Sequence, residues 1–140
     1  MIILDTNVIS ELMRPIPARA VEAWLERHGQ EELSTTVMCQ AEILAGIALL
    51  PAGRRREELQ RRADWIFAHV FAEKILAFDG EVAPHFADII AHRQRAGRPI
   101  GLADAIIGAI ARRRQAPLVT RNVADFEGCG IELHDPWRGD

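Results

Sequence analysis

Met1-Ile2-Ile3-Leu4-Asp5-Thr6-Asn7 decides the fold. Four apolar residues are followed at once by a carboxylate. A short apolar run closed by polar residues suits a buried strand of a parallel sheet covered on both faces. Asp5 then stands at the carboxyl end of that strand, the edge where open α/β sheets place their reactive groups. A carboxylate there is costly unless a positive or hydrogen-bonding group meets it. Two readings follow. Asp5 joins acids from later in the chain around a divalent metal, or its side chain caps the next helix.

The 140 residues are enough for one domain with a real core, taken here as 1–140. Apolar residues make up 49%, which argues against global disorder. The net charge of -3 does not mark a nucleic-acid binder. Yet basic residues cluster within 54–56, 61–62, 93–98 and 112–114, and local patches steer anionic partners. Cys39 and Cys129 form no zinc spacing, and Cys39 reads as a packed thiol. Nothing demands a disulfide, so a reducing cytoplasm is expected. The start turns acidic too soon for a signal peptide, and no apolar run is long enough to span a bilayer; no membrane is expected.

Outward from the first strand, residues 8–13 read as a short helix or turn, broken at Pro15 and Pro17. Residues 18–28 form a helix with Val21, Trp24 and Leu25 as its apolar stripe, and residues 33–36 a second strand. Residues 37–50 form a helix so apolar that burial on most sides is expected, with Glu42 its only charge. Glu42 lies too far in to cap it. It is either a site residue or a partly exposed acid beside Gln40 or paired with an arginine. Residues 54–70 read as a long helix. Its arginines pair with Glu57, Glu58 and Asp64, the alternative being an RNA-contacting surface. Residues 75–78 form a third strand, Asp79 caps, and a helix spans 81–96. Asp104 is the only charge of the apolar stretch 102–111. It either complements the helix dipole or joins the site. Residues 117–120 and 131–134 are the last strands, the fifth at an edge, with Trp137 packing back.

Alternating strands and helices argue for a mostly parallel sheet with helices on both faces. Asp5, Thr6, Asn7, Asn122 and Asp125 then fall at one rim, and Glu42 and Asp104 near the starts of helices leaving it. Carboxylates about 4 Å apart repel by roughly 4 kcal/mol per pair at an effective dielectric of about 20. Either some are protonated or a cation neutralises them. Oxygen ligands without a cysteine or histidine set favour Mg²⁺ or Mn²⁺. Such an ion can activate and orient water for phosphodiester hydrolysis and neutralise charge on the phosphoryl oxygens. One ion suffices if an acid or Thr120 positions the water. No histidine is placed as a general base: His28, His69, His85 and His92 fall in helices, and His134 is remote.

The opening stretch through Glu11, Glu42 in its apolar helix, Leu102-Ala103-Asp104-Ala105 and Thr120-Arg121-Asn122-Val123-Ala124-Asp125-Phe126 together resemble the PIN-domain ribonucleases. The likeness is strongest to the VapC-type toxins of bacterial toxin–antitoxin pairs, including the FitB-like branch, and the Asp135-Pro136-Trp137 ending shares it. The resemblance implies a three-layer α/β/α sandwich around a central five-stranded parallel sheet and Mg²⁺-dependent cleavage of RNA. Asp5, Glu42 and Asp104 match the three core acids, with Asp5 and Asp104 as the direct metal contacts. The fourth position holds Asn122, with Asp125 three residues on, which favours one firm metal site. Asn7, Thr6 and Thr120 would support the shell, and Arg121 would touch phosphate. The resemblance also implies a homodimer and a cognate antitoxin, joined in a higher hetero-oligomer. A receiver-like domain would want paired early acids and a late lysine, whereas the only lysine is Lys74. An aspartyl phosphatase would want an acid where Asn7 stands, and a Rossmann unit a glycine-rich first turn. The remaining alternative is a catalytically silent PIN-like module that binds RNA or protein; an idle buried Glu42 would make that reading expensive.

Overall fold

The computed structural model describes residues 1–139. Five strands form one sheet: β1 (Ile2–Leu4), β2 (Leu33–Thr36), β3 (Ile75–Leu76), β4 (Leu118–Val119) and β5 (Leu133–His134). Their order is β3-β2-β1-β4-β5, and every pairing is parallel. The sheet is thus wholly parallel where a mostly parallel one was expected, and β5 lies at an edge as read. Helices α1 (Thr6–Leu12), α2 (Arg19–Arg27), α3 (Val37–Ala48), α4 (Arg54–Trp65), α5 (Ala83–Arg95), α6 (Leu102–Arg114) and α7 (Val123–Phe126) complete the α/β/α sandwich.

Parallel strands covered on both faces lose every side chain to the core. Ile2, Ile3, Leu4, Leu118 and Val119 are accordingly buried. Val21 and Trp24 of α2 join them, as do Ile107, Ile110 and the small residues Ala105, Gly108 and Ala109 of α6. The chain runs outward from β1 to β2 and β3, then returns to lay β4 on the other side of β1. That reversal opens a crevice beyond the carboxyl ends of β1 and β4, the usual ligand position in such sheets. Leu4 is registered with Val119, so Asp5 and Thr120 are the next residues out on adjacent strands.

Two expectations fail. Helix α3 is not buried on most sides. Cys39, Ile43 and Ile47 face the core, whereas Val37 is 41% exposed, Leu49 just past its end is 85% exposed, and Ala41, Ala45, Gly46 and Ala48 lie open between them. Small side chains raise the helix's mean apolarity without requiring cover. The α4 arginines do not pair with Glu57, Glu58 or Asp64 among the described residues. Arg62 donates to the Met13 carbonyl at 2.8 Å, Arg56 to that of Leu50 at 3.3 Å, and Asp64 accepts from Gln60. Helix α4 also continues as a π-helical turn, Ile66–Val70, which closes on the Phe71 N–H to Ile66 carbonyl bond.

Candidate metal centre

Asp5 is the single residue between β1 and α1. Its Oδ1 accepts the Thr6 backbone N–H at 2.8 Å, so it does cap α1. Capping explains only one of its partners. Its Oδ2 accepts the Thr120 hydroxyl at 2.7 Å and the Asn7 amide at 3.2 Å, and the Cys39 thiol approaches Oδ1 at 3.7 Å. The residue is 4% exposed. Burial raises its pKa, the Thr120 and Thr6 bonds oppose that, and the charge of Glu42 adds to the rise. Asn7 also accepts the Arg121 N–H at 3.1 Å, and Thr120 accepts that of Asn122 at 3.0 Å. The ends of β1 and β4 are thereby stitched together through side chains.

Glu42 stands well inside α3, half-buried, and accepts the Thr6 hydroxyl at 2.7 Å. No arginine pairs with it among the described residues, so the bland reading of this acid fails on that point. Asp5, Cys39 and Glu42 bring one ligand atom each to within 4.8 Å of one another. Cys39 was expected only as packing. It is buried, but it also faces Asp5, and its three-residue spacing from Glu42 on one helix face was the available signal. Burial, and then the charge of Asp5, push its thiol up to about 11. It therefore stays protonated, a weak donor to Asp5 rather than a thiolate ligand.

Asp104 lies in the first turn of α6, half-buried. It lines one cleft of about 450 Å³ with Asp5, Glu42 and Asn122. Burial, then the charges of Asp5, Asp125 and Glu42, push its carboxyl up to about 6, with Arg93 acting in the opposite sense. A helix amino terminus favours the ionised acid. A raised value therefore reports burial first and like charges second, both outweighing the dipole.

Asn122 is exposed on the same cleft. Asp125, on α7, does not line it, although its charge is felt at Asp104. The guanidinium of Arg121 sits 4.8 Å above the ring of Trp137, and both border the cleft. Three residues escaped the sequence reading. Glu11, buried, pairs with Arg14 at 3.2 Å and accepts the Ala18 N–H at 2.9 Å; both Glu11 and Arg14 border the cleft. Arg93, singled out only as part of a basic run, is buried behind α7. No histidine borders the cleft.

The donor set suits a hard divalent cation. Its atoms are carboxylate oxygens, burial and the neighbouring charges hold Asp5 and Asp104 above the usual carboxylate range, and no arginine or lysine pairs with Asp5, Glu42 or Asp104 among the described residues. A family model described as PIN domain matches residues 2–127. The chain is 38% identical to "VapC ribonuclease Y4jK" of Sinorhizobium fredii over 137 residues, covering 98% of each. It is 36% identical to "Toxin FitB" of Neisseria gonorrhoeae over 137 residues, 98% of this chain and 99% of that one. The solved structure of FitAcB from the same organism superposes with a TM-score of 0.89 at 36% identity, covering 98% of this chain and 99% of that chain.

Proposed function

The chain belongs to the PIN domain family, and from that membership we propose that it is a metal-dependent ribonuclease acting as the toxin of a toxin–antitoxin pair. The relatives named as a VapC ribonuclease and a FitB toxin support this reading. The observation that carries it is the convergence of Asp5, Glu42 and Asp104 on one cleft at the β1–β4 crevice, with no arginine or lysine paired to any of them among the described residues.

Asp5, Asp104 and Glu42 would hold Mg²⁺, or Mn²⁺ in its place. Bound there, the ion supplies an activated water and charge stabilisation at the phosphoryl group. Thr120 and Asn7 fix the Asp5 carboxylate from one side, and Thr6 aims Glu42 from the other. Asn122 offers a neutral amide to position water or phosphate, and Asp125 lends charge from behind. Arg121, steadied over Trp137, presents its guanidinium to a backbone phosphate. Residues 1–140 work as one nuclease unit. The partners are RNA, a cognate antitoxin and a second copy of the chain, in a cytoplasmic hetero-oligomer. No helix among the described residues is long and apolar enough to cross a membrane.

The test is RNA cleavage by the purified protein with Mg²⁺, Mn²⁺ or EDTA, beside Asp5→Asn. Cleavage should need the cation and vanish in the variant. Activity indifferent to both changes ends the nuclease reading. Binding without cleavage in either form favours a silent RNA-binding module.

A further inference from the structure

The pairing expected for the α4 arginines fails, and the alternative reading of that helix was an RNA-contacting surface. Its carboxyl-terminal end supports the alternative. Arg62 and Trp65 line a second cavity of about 390 Å³, together with Met13, Arg14 and Pro15 from just past α1. Arg14 also borders the acid cleft, so the two cavities meet at its side chain.

The two differ in charge. Asp5, Glu11, Glu42 and Asp104 border the first, and no acid borders the second. Arg14 and Arg62 are the charged residues of its lining. The Arg14 side chain is 65% exposed and meets the buried Glu11 carboxylate through one nitrogen, Nη1, at 3.2 Å. Its Nη2 and Nε meet no acceptor among the described residues. Arg62 is exposed, is anchored by Nη1 to the Met13 carbonyl at 2.8 Å, and pairs with no acid among the described residues. Trp65 is 57% exposed. The His69 ring stacks on it at 4.8 Å and 17°, and His69 Nδ1 donates to the Trp65 carbonyl at 2.9 Å, so the indole is braced without being covered.

Cations beside an aromatic platform form the surface on which single-stranded nucleic acid lies, the cations taking phosphates and the ring taking a base. A base inside a duplex is already stacked and paired, so an unpaired one is needed. An apolar helix seated here would cover both guanidinium groups without a counter-charge, whereas a polynucleotide brings one with every residue. Helix α1, seven residues and on the order of 10 Å long, separates Arg14 from Asp5.

Resting on the ribonuclease reading above, we propose that the substrate is single-stranded RNA that leaves the acid cleft over Arg14 and lays an unpaired base on Trp65. Arg14 takes a phosphate flanking the one at the acids, and Arg62 the next along the strand. None of the three touches the reacting atoms.

The experiment measures binding of a short dye-labelled single-stranded RNA by fluorescence anisotropy, in EDTA, over a range of salt concentrations, beside the same RNA annealed to its complement. Trp65→Ala should weaken single-strand binding by about 10-fold and leave the duplex alone, and Trp65→Phe should restore most of the loss. Arg14→Ala should lower the slope of log affinity against log salt by about 0.7, the share of one single-strand phosphate, whereas Trp65→Ala should not move it. Both side chains are largely exposed, so neither variant threatens the fold. In Mg²⁺ both should act on cleavage through KM more than through kcat. Unchanged single-strand affinity in Trp65→Ala, or an equal loss on the duplex, overturns the path and leaves the cavity to a protein partner, as does an unchanged salt slope in Arg14→Ala. The expected binding pattern with RNA left uncut in Mg²⁺ keeps the path and refutes the nuclease reading. Cleavage whose KM neither variant moves keeps the nuclease and refutes the path.

Discussion

The Thr120 hydroxyl donates to Asp5 Oδ2 at 2.7 Å, joining residues 115 apart in the chain. It is the shortest side-chain bond to that carboxylate, and Thr120 also accepts the Asn122 N–H. Thr120→Val keeps the shape and removes all three of the hydroxyl's bonds, the Asn7 amide's at 3.3 Å included. Leaving such buried groups unpaired costs about 1–3 kcal/mol. Cleavage should fall by about 10-fold or more, while Thr120→Ser should retain most of it. Urea unfolding and single-turnover cleavage measure the two effects.

Asp104 gives a pH dependence whose sign is fixed. Its carboxyl ordinarily titrates at 3.8 and here at about 6. Between those values the folded protein binds more protons than the unfolded chain, so metal-free stability falls as pH rises from about 4 to about 6. Below that window both states are protonated and above it both are ionised, so the trend levels off at either end. Cation affinity should rise over the same interval, because the ligand is the ionised form. Melting curves in EDTA and in Mg²⁺ across pH 4–8 test this; with Mg²⁺ the loss should shrink toward neutral pH.

The Cys39 thiol, pushed up to about 11 and fully buried, should resist a water-soluble disulfide reagent at pH 8 until the chain unfolds. Rapid labelling of native protein at Cys39, located by peptide mapping, would contradict the burial. Cys39→Ser preserves a donor toward Asp5 and should leave cleavage within about 3-fold. Cys39→Val removes the donor and should cost more, on the scale of about 10-fold for outer-shell partners.

Gly108 sits within α6, and a Cβ there would meet Cys129 Sγ at 3.5 Å and Ile89 Cδ1 at 3.6 Å. Those are ordinary van der Waals separations. Gly108→Ala should therefore be neutral or stabilising by up to about 1 kcal/mol, through helix propensity and a less floppy unfolded chain. Gly108→Val has no room for its methyl groups and should destabilise by about 1–3 kcal/mol. Chemical denaturation of the pair resolves the opposite signs.

The elements were legible because each has a local cause. Ile2, Ile3 and Leu4 announce a buried strand and Val21 and Trp24 a helix face, whereas Asp79, read as the cap of the next helix, instead closes the turn ahead of it through the Glu81 N–H at 3.0 Å, and Val82 stands at the start of α5. The strand positions held, but β3, β4 and β5 are shorter than their apolar runs, since pairing rather than composition sets strand length. Asp5, Glu42 and Asp104 could be chosen because each is a solitary acid in apolar surroundings. Their shared cleft could not be read, because it depends on which strand neighbours β1. Cys39 packs as read, but its contact with Asp5 and the burial of Arg93 against the Asp125 carbonyl were hidden for the same reason: those partners lie far off in sequence. The open side of α3 was missed because alanine and glycine count as apolar yet tolerate water.

All five strands point their carboxyl ends toward the cleft, and β1 is the middle one. Whatever is fused ahead of Met1 therefore emerges on the far side of the molecule, at the cost of the terminal ammonium's pairing with Glu31. Trp137, by contrast, borders the cleft itself. An amino-terminal tag accordingly leaves the approach to the cleft clear, whereas a bulky label placed at Trp137 would crowd it.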